Sequence, residues 1–120
     1  MKKRVLIAEN DSYQKEVLEK TLQKLDLEIF SAVDGREALS LLQAHPDVGL
    51  IISEIILPGL NGIELRKAQL NNPVVKDIPI IFVTSHLSNA EPVKALSPHL
   101  VLTKPVSPED LLKIVGNLIL

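Results

Sequence analysis

Five short apolar runs, each followed by a segment with helical periodicity, restrict this chain to one kind of architecture. The runs are "RVLIA" (4–8), "EIFSA" (28–32), "VGLIIS" (48–53), "IPIIFVTS" (78–85) and "LVLT" (100–103), all of strand length. Behind the first, "SYQKEVLEKTLQKL" (12–25) sets Val17, Leu18, Thr21, Leu22 and Leu25 on one helical face, with Asp11 or Ser12 as N-cap. Behind the second, Asp34-Gly35 opens "REALSLLQAH", where Ala38, Leu41, Leu42 and His45 recur at helical spacing until Pro46 stops the pattern. "GIELRKAQL" (62–70) is a short helix, and "NAEPVKAL" (89–96) is a weaker one that tolerates Pro92 only near its N-terminus. The last helix opens at "SPED", with Ser107 as N-cap, Pro108 at the first helical position and two acids in the first turn.

Strand alternating with helix demands parallel strands joined by right-handed crossovers, with helices on both faces of the sheet. The expectation is an α/β fold, a doubly wound five-stranded parallel sheet of order 2-1-3-4-5. It is a flavodoxin-like three-layer sandwich, and residues 1–120 form one domain. Composition agrees: hydrophobic residues reach 46% while aromatics stand at 2% and Trp is absent, so Leu, Ile and Val fill the interior, as in buried parallel strands. With no cysteine, disulfides, thiolate chemistry and Cys-based zinc sites are excluded. A net charge of -2, with "MKKR" as the one dense basic cluster, supplies no positive stripe for a phosphate backbone, which argues against nucleic-acid binding by this domain. No apolar run reaches the roughly 18 residues that span a bilayer, and "MKKR" leads into a strand without a cleavage site. A cytoplasmic protein with no membrane partner is expected.

In doubly wound sheets, chemistry collects beyond the carboxyl ends of the strands. Here those ends carry Glu9, Asn10 and Asp11 after the first strand and Glu54 after the third. Thr84, Ser85 and His86 follow the fourth, and Lys104 and Pro105 the fifth. The order 2-1-3-4-5 makes these side chains converge on one shallow pocket. By simpler readings, Glu9, Asn10 and Asp11 cap the first helix, and Thr84 and Ser85 are turn hydroxyls. The histidines His45, His86 and His99 lack metal-ligand spacing.

Taken together, "VLIAEND", "DGREALSLL", "IILPGLNGIEL", "IPIIFVTS" and "LTKP" resemble, in order and spacing over essentially the whole chain, the receiver domain of two-component response regulators. The resemblance implies a phosphorelay site. In that family an aspartate on the third strand accepts a phosphoryl group from a sensor histidine kinase, and two acids after the first strand help hold Mg²⁺. A Thr or Ser after the fourth strand contacts the phosphoryl oxygens, and a lysine after the fifth completes the site. Thr84, Lys104, Pro105, Pro58-Gly59 and Asn61-Gly62 match that pattern. The acids depart from it. Glu54 stands at the phosphoacceptor position, Glu9 at the first acid and neutral Asn10 at the second, while Val101 stands where the family commonly has Tyr or Phe. The stretch from Thr84 to Lys104 is also slightly shorter than is usual, so a trimmed fourth helix is expected.

Phosphoryl transfer depends mostly on positioning and charge neutralisation. One extra methylene moves the Glu54 carboxylate outward by about 1.5 Å, and a misplacement on the order of 1 Å costs about 10²-fold in rate. Mg²⁺ requires near-octahedral oxygen ligation anchored by carboxylates. A metal set of Glu9, Asn10 and Glu54 is therefore a weak or lost site, and the cofactor expected is none or weakly bound Mg²⁺. The same methylene carries negative oxygens toward Lys104 and Thr84, where phosphoryl oxygens would sit. The expected function is that of an atypical, pseudo-receiver domain, not an enzyme, that signals through contact with a sensor kinase or an output domain or protein. Homodimerisation through the fourth and fifth elements is a further option. The alternative is a working phosphoacceptor switch using Glu54, Asp11 or Ser53 with Mg²⁺. A flavodoxin-like small-ligand binder is a third reading, but no Gly-rich phosphate loop follows the first strand.

Overall fold

The computed structural model describes residues 2–120, apart from the side chain of Leu87. Its strands are β1 (Lys3–Ala8), β2 (Leu27–Ala32), β3 (Leu50–Glu54), β4 (Ile80–Thr84) and β5 (Leu100–Thr103). Between and after them lie α1 (Ser12–Leu22), α2 (Gly35–Ala44), α3 (Gly62–Leu70), α4 (Glu91–Lys94) and α5 (Pro108–Ile119). All pairings are parallel, and the sheet runs β2-β1-β3-β4-β5, as the sequence pattern predicts.

The strands divide their side chains between two cores because successive residues point to opposite faces. Val5, Ile7, Leu50, Ile52, Ile81 and Val83 pack with Leu18 and Leu22 of α1 and Leu111 and Val115 of α5. Leu6, Ala8, Ile51, Ile80 and Phe82 face the other way, against Ala38 and Leu42 of α2, Leu65 of α3 and Val93 of α4. Both faces of the central strands are therefore apolar, which is why β1, β3 and β4 read as continuous hydrophobic runs.

Local chemistry fixes the helix starts. Asp11 accepts the Gln14 N–H at 2.9 Å and Asp34 the Glu37 N–H at 2.8 Å. Asn61 and Glu64 form a reciprocal capping box, and Ser107 accepts the Asp110 N–H. β1 and β2 each begin one residue earlier than the sequence pattern predicts and β4 is trimmed to Ile80–Thr84, while three other boundaries differ in ways that bear on the site. α1 ends at Leu22 instead of running to Leu25, because Lys24 and Leu25 turn back to bond Thr21 and Leu22 carbonyls. β3 begins at Leu50 and continues through Glu54, whose pairing with Val83 extends the ladder to the acid itself. The segment expected as a helix over 89–96 is a 3-10 turn, Leu87–Asn89, followed by the one-turn α4. Ser97, with φ 52, ends that stretch in the left-handed region.

Beneath β4 and β5, on the edge opposite the carboxyl ends, lies the buried Arg66 of α3, a residue the sequence pattern does not single out. It donates to the carbonyls of Leu96 at 3.0 Å and Ser97 at 2.9 Å, and to Gln69 Oε1 at 2.7 Å. Gln69 in turn donates to the Val75 and Ile78 carbonyls. Burial lowers the Arg66 pKa, and every hydrogen-bond partner of this guanidinium among the described residues is neutral. The pair satisfies the backbone of the short turns that enter β4 and β5, where α4 is too small to order them.

Glycine is needed where α3 folds back on β3. A Cβ on Gly62 would sit 2.4 Å from the Glu54 carbonyl oxygen and 3.0 Å from Ile55 Cα, whereas one on Gly116 in α5 would meet nothing within 4 Å. Gly62→Ala is expected to destabilise by about 1–3 kcal/mol through overpacking, and Gly116→Ala to stabilise by about 0.5–1 kcal/mol. Urea unfolding midpoints should move in opposite directions.

Candidate functional site

The carboxyl edge of the sheet gathers a three-member charge cluster. Glu9 follows β1, its N–H fixed to the Ala32 carbonyl of β2 at 3.0 Å. Glu54 is the last residue of β3. Lys104 follows β5, its N–H bonded to the Thr84 carbonyl at 2.8 Å, and its peptide bond to Pro105 is cis. The Lys104 Nζ donates to Glu9 Oε1 in a short contact and to Glu54 Oε1 at 3.0 Å. All three side chains are shielded from solvent, with exposures of 1% for Glu9, 9% for Glu54 and 11% for Lys104.

The remaining carboxylate oxygens are also engaged. Glu54 Oε2 accepts the Ile55 N–H at 2.6 Å, and Glu9 Oε2 accepts the Asp11 N–H at 3.3 Å. Each oxygen of the two carboxylates thus has a donor, as buried charges require. The pairing of Lys104 with Glu54 agrees with the sequence expectation, but its pairing with Glu9 was not anticipated. The strand order predicts both residues in one pocket, and the family resemblance implies a metal-binding role for Glu9.

Thr84 is placed differently from expectation. It is buried at the end of β4, but its hydrogen bonds among the described residues run into its own following loop. The Oγ1 donates to the His86 carbonyl and accepts from the His86 N–H, both at a long 3.4 Å, and accepts from Asn89 Nδ2 at 3.3 Å. The expected approach to the Glu54 carboxylate is not made, because the turn after β4 captures the hydroxyl. Asn10 is exposed, and Asp11 serves as the α1 cap. Ser53 is buried and donates to the Glu54 carbonyl oxygen at 2.8 Å. Val101 is half-buried against the α2/α3 core. His86 is exposed beside Thr84, while His45 stacks on Phe30 with ring centroids 4.1 Å apart.

A divalent cation would need carboxylate oxygens in a near-octahedral array. Glu9 and Glu54 present oxygens already bonded to an ammonium or a backbone N–H, and Asn10 carries no charge. Among the described residues there is no group of three or more His, Asp or Glu side chains that could hold a metal ion. As arranged, the donor set does not fit Mg²⁺.

Residues 5–116 match the model of the response regulator receiver domain. This chain belongs to the receiver-domain family of two-component response regulators. It is 30% identical to the chemotaxis protein CheY1 of Helicobacter pylori over 111 residues, covering 90% of each chain. It is also similar to the structure of the chemotaxis response regulator CheY4 of Vibrio cholerae, with a TM-score of 0.89 at 30% identity and coverage of 98% of this chain and 99% of that one. A probable transcriptional regulator, ycf29 of Pyropia yezoensis, is 31% identical over 99% of this chain, which spans 54% of that protein's length. Against the rice response regulator-like protein PRR73 the identity is 35% over 90% of this chain, which spans 14% of that protein. Receiver domains of this family act as signalling switches and interact with histidine kinases and output domains. No helix among the described residues is long and apolar enough to cross a membrane.

Electrostatics make the cluster sensitive to alkali. Burial pulls the Lys104 pKa down, but the hydrogen bonds and charges of Glu9 and Glu54 outweigh it and leave the ammonium raised above its ordinary 10.5. A raised lysine contributes stability that is complete below the unfolded pKa and is lost as pH climbs through the folded one. Chemical denaturation of the wild type should therefore show a loss of stability above pH 10.5 that is smaller in Lys104→Met.

Proposed function

We propose that this receiver domain signals through protein contact and is not phosphorylated in the usual way, Glu54 standing where the phosphoacceptor belongs. The observation that carries the reading is the 3.0 Å contact between Lys104 Nζ and Glu54 Oε1. A longer acid delivers its negative oxygens to the lysine that, by family resemblance, would otherwise meet a phosphoryl group. One carboxylate replaces a group of about -2 charge with three acceptor oxygens, and the Thr84 hydroxyl does not join it, so the imitation covers the lysine half of the site. Val101 offers no ring to relay a change to the outer face. These features favour a domain held in one state over a switch.

The partners consistent with this role are a sensor histidine kinase, or an output domain or protein, met in the cytoplasm. Contact with nucleic acid or membrane by this domain is not part of the reading, nor is enzymatic turnover. Exposed Leu100 on the edge strand β5 and Leu120 beyond α5 give the fifth elements an apolar surface for a partner or a second copy. The rival reading, a working phosphoacceptor using Glu54, Asp11 or Ser53, draws less support. Asp11 is committed to capping α1, Ser53 is buried against a carbonyl, and Glu54 is held by Lys104 and the Ile55 N–H.

Incubation with a small phosphodonor and Mg²⁺, followed by intact-mass measurement, should leave the wild type unmodified. A stable adduct of one phosphoryl group that disappears in Glu54→Gln would overturn the proposal.

A further inference from the structure

The geometry points to Lys104 as the pocket's resident cation: its ammonium occupies the place between Glu9 and Glu54 that a divalent ion would need, and so keeps such an ion out. The inference deepens the proposed function by adding how the site is regulated, and it rests on the same view of the pocket. Three observations carry it. A single Nζ touches one oxygen of each carboxylate, so the cation position common to both acids is filled by the chain itself. The other oxygens are held by the Asp11 and Ile55 amides, which aim the carboxylates at the lysine and leave neither free to swing toward a newcomer. The nearest neutral candidate, Asn10, points no charge into the site and is exposed.

Charge balance supports the same conclusion. Two carboxylates and one ammonium leave one net negative charge, shared over oxygens that are all hydrogen-bonded. Adding a dication would convert this to a net positive cluster in a place nearly closed to water, at a desolvation cost that the engaged oxygens do not offset. The ion would instead have to expel the ammonium. Lys104, whose backbone N–H is bonded to the Thr84 carbonyl, lines a cleft with Val17, Val83 and Val106 and holds its ammonium on both carboxylates. The lysine is accordingly a positioning residue whose charge, more than its length, decides what the pocket binds.

Removing that charge should open the site. In Lys104→Met or Lys104→Gln the two carboxylates lose their common partner and become a hard-oxygen pair suited to a small divalent ion. Lys104→Arg keeps the charge and should stay closed. Mn²⁺ is the probe, titrated at constant ionic strength into the full chain. The first readout is paramagnetic broadening of backbone amide resonances, and the second is the unfolding midpoint. The wild type and Lys104→Arg should show no selective broadening at Glu9, Asp11, Glu54 or Ile55. Lys104→Met should show it there, and with the ion at tenfold its dissociation constant its Tm should rise by about 4–6 °C. Adding Glu9→Gln and Glu54→Gln to that variant should abolish both effects.

Selective broadening at those amides in the wild type overturns the inference, and this measurement needs no variant to fold. A folded Lys104→Met or Lys104→Gln that remains silent also overturns it, since the lysine would then not be what excludes the ion. Because no phosphodonor is present, failure here is distinguishable from failure of the proposed function. A metal-free phosphoryl adduct on Glu54 would remove that reading and leave this one intact, while Mn²⁺ binding by an unphosphorylatable wild type would do the reverse.

Discussion

The ammonium of Lys104, shared between Glu9 and Glu54, is the interaction on which the character of this pocket depends. Two glutamates nearly closed off from water at neighbouring strand ends would repel each other and carry a heavy desolvation cost if left alone. The lysine offsets both effects at once. It also joins the ends of β1, β3 and β5, which are far apart in sequence, through side chains that nothing but the finished sheet could bring together. What results is a closed polar network inside an aliphatic framework, with every carboxylate oxygen supplied with a donor.

That network sits on one edge of the sheet, and a second one sits on the other. Arg66 and Gln69 satisfy the carbonyls of the turns leading into β4 and β5, and do so with neutral partners. Between the two lies the shortened segment that carries α4. Its one-turn helix buries Val93 but offers little further packing. The segment is flanked by polar anchoring at both edges, with the apolar core of β4 between them.

The contrast between Glu54 and Thr84 illustrates how a family position and a physical role separate. Both residues stand at strand ends that the family uses for chemistry. Glu54 reaches its lysine because a glutamate has the length to do so and the Ile55 amide holds its second oxygen. Thr84 has a short side chain, and the tight turn behind β4 supplies partners closer to hand than the carboxylate. Val101 adds to the effect: it packs against the α2/α3 core and brings no ring to the β5 position.

Much of this was legible in the residues alone. Alternating apolar runs and helical periods dictated five parallel strands and their covering helices. Asp11, Asp34 and Ser107 marked helix starts, because these signals are local and act through the nearest backbone amides, whereas the Asn61 cap emerged only in the structure. The same logic named the strand-end residues Glu9, Glu54, Thr84 and Lys104 as neighbours. Less accessible were the events that depend on which donor is nearest in space. That Lys104 binds Glu9 as well as Glu54, that Thr84 turns to its own loop, and that Arg66 is buried among carbonyls were decided only by tertiary structure. Hydrogen-bond choice in a nearly dry pocket is a competition among groups distant in the chain, and one-dimensional order does not contain its outcome.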